Sequence, residues 1–374
     1  MRHRAVYIFL SILTAVVLSV QCTKSHTGTD EPEIPTPEPE VNKSLREQYS
    51  ISPDLWPSAN WFPGVTKREL AFLPERVQTE SPKVVELGKI LFFDSRLGKR
   101  NNSCASCHVA GNYWTDRAVV AVGGGNRNTP SLQDSWYLDG HLMLDGRAKT
   151  FTEQLTIAIE SPHEMAGDVK TLPALLQAIA GYRILFQEAY ADDNITTARI
   201  LGALAAYTKS IVSGETSFDR FIKGEFSALT DQQLEGLHLF RTKAACINCH
   251  NGPFFTDLQY HNLGNSLDHQ QLPDYGRFNF TNLHADRGKF RTPGLRNVAH
   301  TAPYLHNGSV ASLDFLIDLL IDGMPQMNGQ RVSGVLSPHI KPLSLSREER
   351  RALLAFINTL SSERPEVTRP TLPN

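Results

Sequence analysis

Cysteine is scarce in this 374-residue chain, at five residues, and neither charge sign is in excess: 37 Lys and Arg against 39 Asp and Glu leave a formal net charge of −2. So few cysteines exclude a disulfide-stapled scaffold. The balanced charge excludes the basic footprint of a protein that holds nucleic acid or an acidic membrane surface. Runs of alternating apolar residues are missing, which excludes a substantial sheet. The one long apolar run, residues 5–20, is interrupted by Ser and Thr. It falls short of the roughly 20 residues that cross a bilayer.

That run follows Arg2, His3 and Arg4 and ends just before Cys22, in LSVQC. A charged start and a short apolar core read as a signal peptide over 1–22. The cysteine resembles the lipid-bearing residue of bacterial lipoproteins, although Gln21 is not the small residue usual before it. Residues 23–48, rich in Pro and acid, cannot bury a core and read as a disordered tether. The protein is thus expected to be exported to the periplasm and to meet the membrane only through a lipid on Cys22.

The other four cysteines fall in two pairs. Cys104, Cys107 and His108 spell C-x-x-C-H, and so do Cys246, Cys249 and His250. This is the attachment signature of a c-type haem, with two thioether bonds and one axial imidazole. Two complete copies with no cysteine left over predict two covalently bound haems. What occupies each iron's other face decides between an electron carrier and a catalyst.

The surroundings of the motifs repeat. VELGKILFF, with Gly88, Leu91 and Phe92, precedes the first; LEGLHLF, with Gly236, Leu239 and Phe240 at the same spacing, precedes the second. Each unit closes in an amphipathic helix, ARILGALAAYTKSIV and SREERRALLAFINTL, where Tyr207 and Ile211 correspond to Phe356 and Leu360. Thr230 with Gln233, and Ser346 with Glu349, have capping-box spacing. The prediction is an all-α fold of two packed cytochrome c-like domains, 49–224 and 225–364.

The stretches LFFDSRL, SCASCH, RNTPSL, LDGRAKTFTEQL, SPHEM, CINCHNGPFFTD and RTPGLRNVAHTAPYLHNGS together resemble the bacterial di-haem cytochrome c peroxidase family, which includes the maturation enzyme of methylamine dehydrogenase. The resemblance implies that the N-terminal haem is the peroxide site and that the C-terminal haem takes electrons from a donor. It places the distal glutamate on Glu164 and its companion glutamine on Gln154. It also implies a calcium ion held by Asn128 and by the carbonyls of Thr301 and Pro303. The implied activity is reduction of hydrogen peroxide to water, with electrons from a small cytochrome c or cupredoxin and, as family members often do, in a homodimer. The alternatives are an enzyme that oxidises a side chain of a partner protein and a non-catalytic di-haem carrier.

Three positions depart from the family pattern. The histidine that caps the resting peroxide-site iron in many members falls here on Gly124, so that iron is expected to be open and active without prior reduction. The second haem's sixth ligand falls on Leu320, which cannot bind iron. Met324 is the leading substitute; Met327, His261 and no ligand at all are the alternatives. Leu144 stands where the family usually has a tryptophan between the haems, and an aliphatic side chain cannot be oxidised as a relay.

Overall fold

The computed structural model describes residues 43–121, 125–266, 274–324 and 332–374. Cys22, Gly123, Gly124 and Met327, and with them the signal peptide and most of the expected tether, lie outside the described residues. The tether's expected end at 48 is too late. Ser44 closes a capping box with Glu47 and starts α1 (Leu45–Tyr49), whose Tyr49 is fully buried.

The first motif is framed by α2 (Pro82–Phe92), α3 (Cys104–Cys107), α4 (Phe151–Glu160), α5 (Leu172–Gln177), α6 (Ala180–Tyr190) and α7 (Thr197–Ser210). After α8 (Ser217–Ile222), α9 (Asp231–Arg241), α10 (Phe278–Thr281), α11 (Leu313–Ile321) and α12 (Arg347–Asn358) frame the second. Among the described residues the only sheet is a two-stranded antiparallel pair, β1 (Tyr260–His261) and β2 (Phe290–Arg291). No described helix is long and apolar enough to cross a membrane.

Two apolar cores result. One gathers residues from Leu87 to Ile211, the other residues from Phe218 to Leu360. The chain ends cross over. Tyr49, Trp56 and Leu70, which the expected boundaries assign to the first domain, pack in the second core, while Val367 and Leu372 pack on the first. Arg241 explains the first exchange. It is buried in the second core and finds its acceptors in this early segment, at Tyr49 Oη (2.9 Å), the Pro57 carbonyl (2.8 Å) and Glu69.

The sequence repeat is a repeated helix crossing. A Cβ on Gly88 of α2 would lie 1.9 Å from the Ala203 carbonyl oxygen of α7; one on Gly236 of α9 would lie 1.9 Å from the Ala352 carbonyl oxygen of α12. Only glycine lets these backbones meet. Beside each crossing an aromatic pair closes edge to face at 5.2 Å, Phe92 with Tyr207 and Phe240 with Phe356. Both anticipated capping boxes form, at Thr230 and Ser346, which fixes where α9 and α12 begin. Gly88→Ala is therefore expected to cost about 3 kcal/mol, the upper end for overpacking, because the obstacle is backbone rather than a side chain that can rotate. Urea unfolding of the variant checks this, and a loss under about 1 kcal/mol would mean that the helices part easily.

Candidate active site

Each C-x-x-C-H folds into a single tight turn that leaves its histidine oriented by the backbone. In the first, the Cys104–Cys107 turn is closed by the Ser103 amide donating to Ser106 Oγ, and the His108 amide bonds to the Cys104 carbonyl at 2.9 Å. His108 Nδ1 then faces the Trp114 carbonyl at 3.0 Å. In the second, the His250 amide bonds to the Cys246 carbonyl at 2.9 Å and Nδ1 faces the Phe255 carbonyl at 2.9 Å. A carbonyl can only accept, so Nδ1 carries the proton and Nε2 keeps its lone pair for a metal. Burial lowers the pKa of both imidazoles and keeps them neutral, although the facing carbonyls oppose it. No disulfide joins the four cysteines. Burial pushes the thiols of Cys104, Cys246 and Cys249 up to about 12, which disfavours the thiolate form that a metal ligand needs.

A cavity of about 400 Å³ opens at the second motif, where Cys246, Cys249 and His250 share the lining with Leu313, Leu316 and Leu320 of α11. Arg291 lines it too, and its Nε is buried without an acceptor. Burial pulls that guanidinium below its ordinary pKa, opposed by Tyr137 and Tyr260, while Nη1 donates to the Thr292 carbonyl at 3.2 Å. Trp136 Nε1 is a second buried donor without an acceptor; its ring packs edge-on against Phe254, another lining residue. Buried donors without acceptors call for an anion. Two thiols, an imidazole with a free lone pair, apolar walls and anion-seeking donors fit a haem with its propionates.

Around the first motif the distal candidates assemble. Asn102, two residues before Cys104, donates from Nδ2 to the Glu164 carbonyl at 2.8 Å and ties the turn after α4 to the attachment turn. Glu164 is half-buried, and its charge acts on Cys104. Burial raises its pKa above the ordinary carboxylate value, opposed by the Arg147 charge, the Ser161 hydroxyl, Arg127 and His163. A Cβ on Gly125 would stand 3.9 Å from His163 Cβ, so Gly125 lies against the same turn. Gln154 lies half-buried on α4. His163 is exposed.

The two arginines facing Glu164 share one anchor that sequence reasoning missed. Buried Asp145 binds Arg127 Nη1 at 2.6 Å and Arg147 Nη1 at 2.7 Å. Arg127 also grips Asp274, from the second half of the chain, through Nε at 2.6 Å and Nη2 at 2.9 Å. Asp145, Arg147 and Arg127 stand in LDGR and RNTP, so the signal was present. Nothing local said that Asp274 would complete the cluster.

At the second cavity the expected methionine is out of place. α11 stops at Ile321, Gly323 turns to φ +76°, and the Met324 amide returns to the Leu319 carbonyl at 2.7 Å. Leu320 lines the cavity and Met324 does not. His261 lines it, but both ring nitrogens are engaged, Nε2 with Asp257 at 3.0 Å and Nδ1 with Ser337 Oγ at 3.2 Å. His339, which stands in no recognisable motif, also lines the cavity and stacks on Phe62 with ring centroids 5.4 Å apart. Asn128, Thr301 and Pro303 border the same cavity, and the Asn128 amide bonds to the His306 carbonyl at 2.7 Å.

Comparison with known proteins bears on the family and the fold. Residues 82–227 match the family model described as di-haem cytochrome c peroxidase. The chain is 35% identical over 344 residues to cytochrome-c peroxidase IdrP2 of Denitromonas iodatirespirans, covering 82% of this chain and 89% of the relative. It is 36% identical over 302 residues to the methylamine utilization protein MauG of Methylorubrum extorquens, covering 78% and 82%. Among solved structures, a MauG-like protein associated with microbial copper homeostasis superposes with a TM-score of 0.69 at 30% identity, over 81% of this chain and 96% of that one. On residues, fold and relatives alike, the chain belongs to the di-haem cytochrome c peroxidase family.

Proposed function

We propose that this protein is an exported di-haem peroxidase that reduces hydrogen peroxide to two waters at the His108 site, consuming two electrons and two protons. The electrons come from a small cytochrome c or cupredoxin and enter at the His250 site. The observation that carries the reading is Glu164. It is a carboxylate raised in pKa by burial, tied by Asn102 to the first attachment turn, with Gly125 packed beside the neighbouring His163. Haem supplies the electron transfer and the binding site for peroxide. Glu164 takes the proton from one peroxide oxygen and returns it to the other, which leaves as water. Gln154 orients the peroxide through its carboxamide. Arg147 and Arg127, fixed by Asp145, keep the carboxylate form accessible against the burial that favours the acid.

A calcium ion at the junction of the cores completes the proposal, held by Asn128 Oδ1 and the carbonyls of Thr301 and Pro303. Asn128 Nδ2 donates to the Ala118 carbonyl at 2.8 Å, which leaves Oδ1 turned the other way for a hard cation. Cys22 and the acidic tether supply the anchoring part of the reading.

The resting ferric protein tests the core of it. Electron paramagnetic resonance before and after peroxide, with no reductant, is expected to show a high-spin signal that peroxide removes at once. Two low-spin haems indifferent to peroxide would refute an open first site.

A further inference from the structure

Tyr260 occupies the ground between the two candidate sites. On one side it pairs with Arg291 across the β1–β2 ladder and precedes His261, and both of these neighbours line the second cavity. On the other side its hydroxyl packs on Gly146, where a Cβ would come within 1.8 Å of it. Gly146 joins Asp145 to Arg147, the cation with the strongest effect on Glu164. The hydroxyl lies 3.1 Å from His141 Nδ1 and also meets the Arg277 side chain. Above the ring stands the Arg277 guanidinium, 4.1 Å from the centroid and held by the Asp145 carbonyl at 3.1 Å.

These contacts restrict what oxidation of this side chain can produce. A ring that loses an electron under a guanidinium 4.1 Å away gains a positive charge beside another. That is unfavourable unless a proton leaves in the same step. The phenol has an acceptor for it. Burial, then the charges of Lys149, Arg291 and Arg277, lower the pKa of His141, so its imidazole is neutral and Nδ1 can hold a lone pair. The same charges make the resulting imidazolium quick to hand the proton back. Leu144, whose carbonyl accepts from the Arg291 amide at 2.8 Å, offers no oxidisable group here.

We propose that Tyr260 is a redox-active side chain between the two sites, with His141 as its proton acceptor; the direction of electron flow rests on the peroxidase reading above. Tyr260 gives one electron to the His108 site after hydrogen peroxide has oxidised it. The O–H bond breaks, the proton moves to His141 Nδ1, and a neutral phenoxyl radical and an imidazolium remain. One electron from the donor protein, arriving through the His250 site, and return of the proton from His141 restore the phenol. Two such passages supply the two electrons that each peroxide takes.

The test uses the holoprotein with ring-deuterated tyrosine, freeze-quenched after peroxide and, separately, after a flash-generated ruthenium polypyridyl oxidant that bypasses the haems. Wild type is expected to give a tyrosyl signal that is absent in Tyr260→Phe under both oxidants. In His141→Phe the radical should form more slowly, on the order of a hundredfold, because the positioned base is gone. A tyrosyl signal unchanged in Tyr260→Phe would overturn the proposal, as would its absence under the flash oxidant. If the flash oxidant gives the Tyr260 signal while peroxide leaves the haem spectra untouched, the redox site stands and the peroxidase reading falls. If the haems respond to peroxide but neither oxidant yields a Tyr260 radical, the reverse holds.

Discussion

Replacing Glu164 with glutamine is expected to lower kcat/KM for hydrogen peroxide by about 10²- to 10⁴-fold, the usual worth of a positioned acid–base group. The amide keeps the size and polarity of the side chain but cannot take a proton from one peroxide oxygen and return it to the other. The backbone tie from Asn102 does not involve the side chain, so the turn should survive the change. The absorption spectra of both haems should therefore be unaltered, which separates lost chemistry from lost structure. The pH dependence follows from the sign of the shift. Burial raises the Glu164 pKa, so the carboxylate that must receive the first proton is depleted over a range where an ordinary glutamate is already ionised. Wild-type activity should rise with pH through that raised value, and the variant should lose this acid limb altogether. Stopped-flow reduction of peroxide across the pH range measures both effects. A loss smaller than about tenfold, which is 1.4 kcal/mol of barrier, would remove Glu164 from the reaction.

What the sequence made legible was whatever repeats or is local. Gly88 and Gly236 stand out because each is followed by Leu and Phe at the same mutual spacing ahead of a C-x-x-C-H motif, which marks a duplicated unit, and both prove to be close helix crossings. The capping boxes at Thr230 and Ser346 are signals of four residues and are legible locally. The orientation of His108 and His250 was less accessible, since it depends on carbonyls at Trp114 and Phe255 whose direction is set by the following turn. Pairings across long stretches of chain were not legible. Arg127 meets Asp274 across 147 positions, and Arg241 reaches back 192 positions to Tyr49. Neither pair leaves a periodic trace in the sequence. Met324 stands one helical turn beyond Leu320 in the sequence, but α11 ends at Ile321 and Gly323 adopts a left-handed conformation before it. The early segment was assigned by its place in the chain, whereas packing is decided by where buried Arg241 finds its acceptors.

Loss of the Asp219 carboxylate should damage the fold more than any other single change considered so far. Asp219, the third residue of α8, closes its capping box and accepts five hydrogen bonds, from Arg296 Nη1 (2.8 Å) and Nη2 (2.9 Å), the Leu73 amide (2.9 Å), the Thr216 amide (2.9 Å) and Thr216 Oγ1 (2.7 Å). Its exposure is 1% and that of Arg296 is 9%. Asp219→Ala would leave a guanidinium without its counter-ion in the second core and free the cap of α8. Breaking such a pair costs about 3–5 kcal/mol. That is a large part of the roughly 5–15 kcal/mol that holds a domain together. Burial pushes the Asp219 pKa up, but Arg296, Thr216 and the Leu73 amide outweigh it, and the net shift is downward. A depressed carboxylate stabilises the fold above its unfolded pKa and loses that contribution as pH falls through the folded value. The stability gap between wild type and Asp219→Ala should accordingly be widest near neutral pH and narrow in acid, as urea unfolding at several pH values would show. Removing the cation as well, in Asp219→Ala with Arg296→Met, should recover part of the loss, because the penalty lies in the charge left behind rather than in the missing attraction. A double variant no more stable than Asp219→Ala would place the cost in the α8 cap and the Leu73 contact instead.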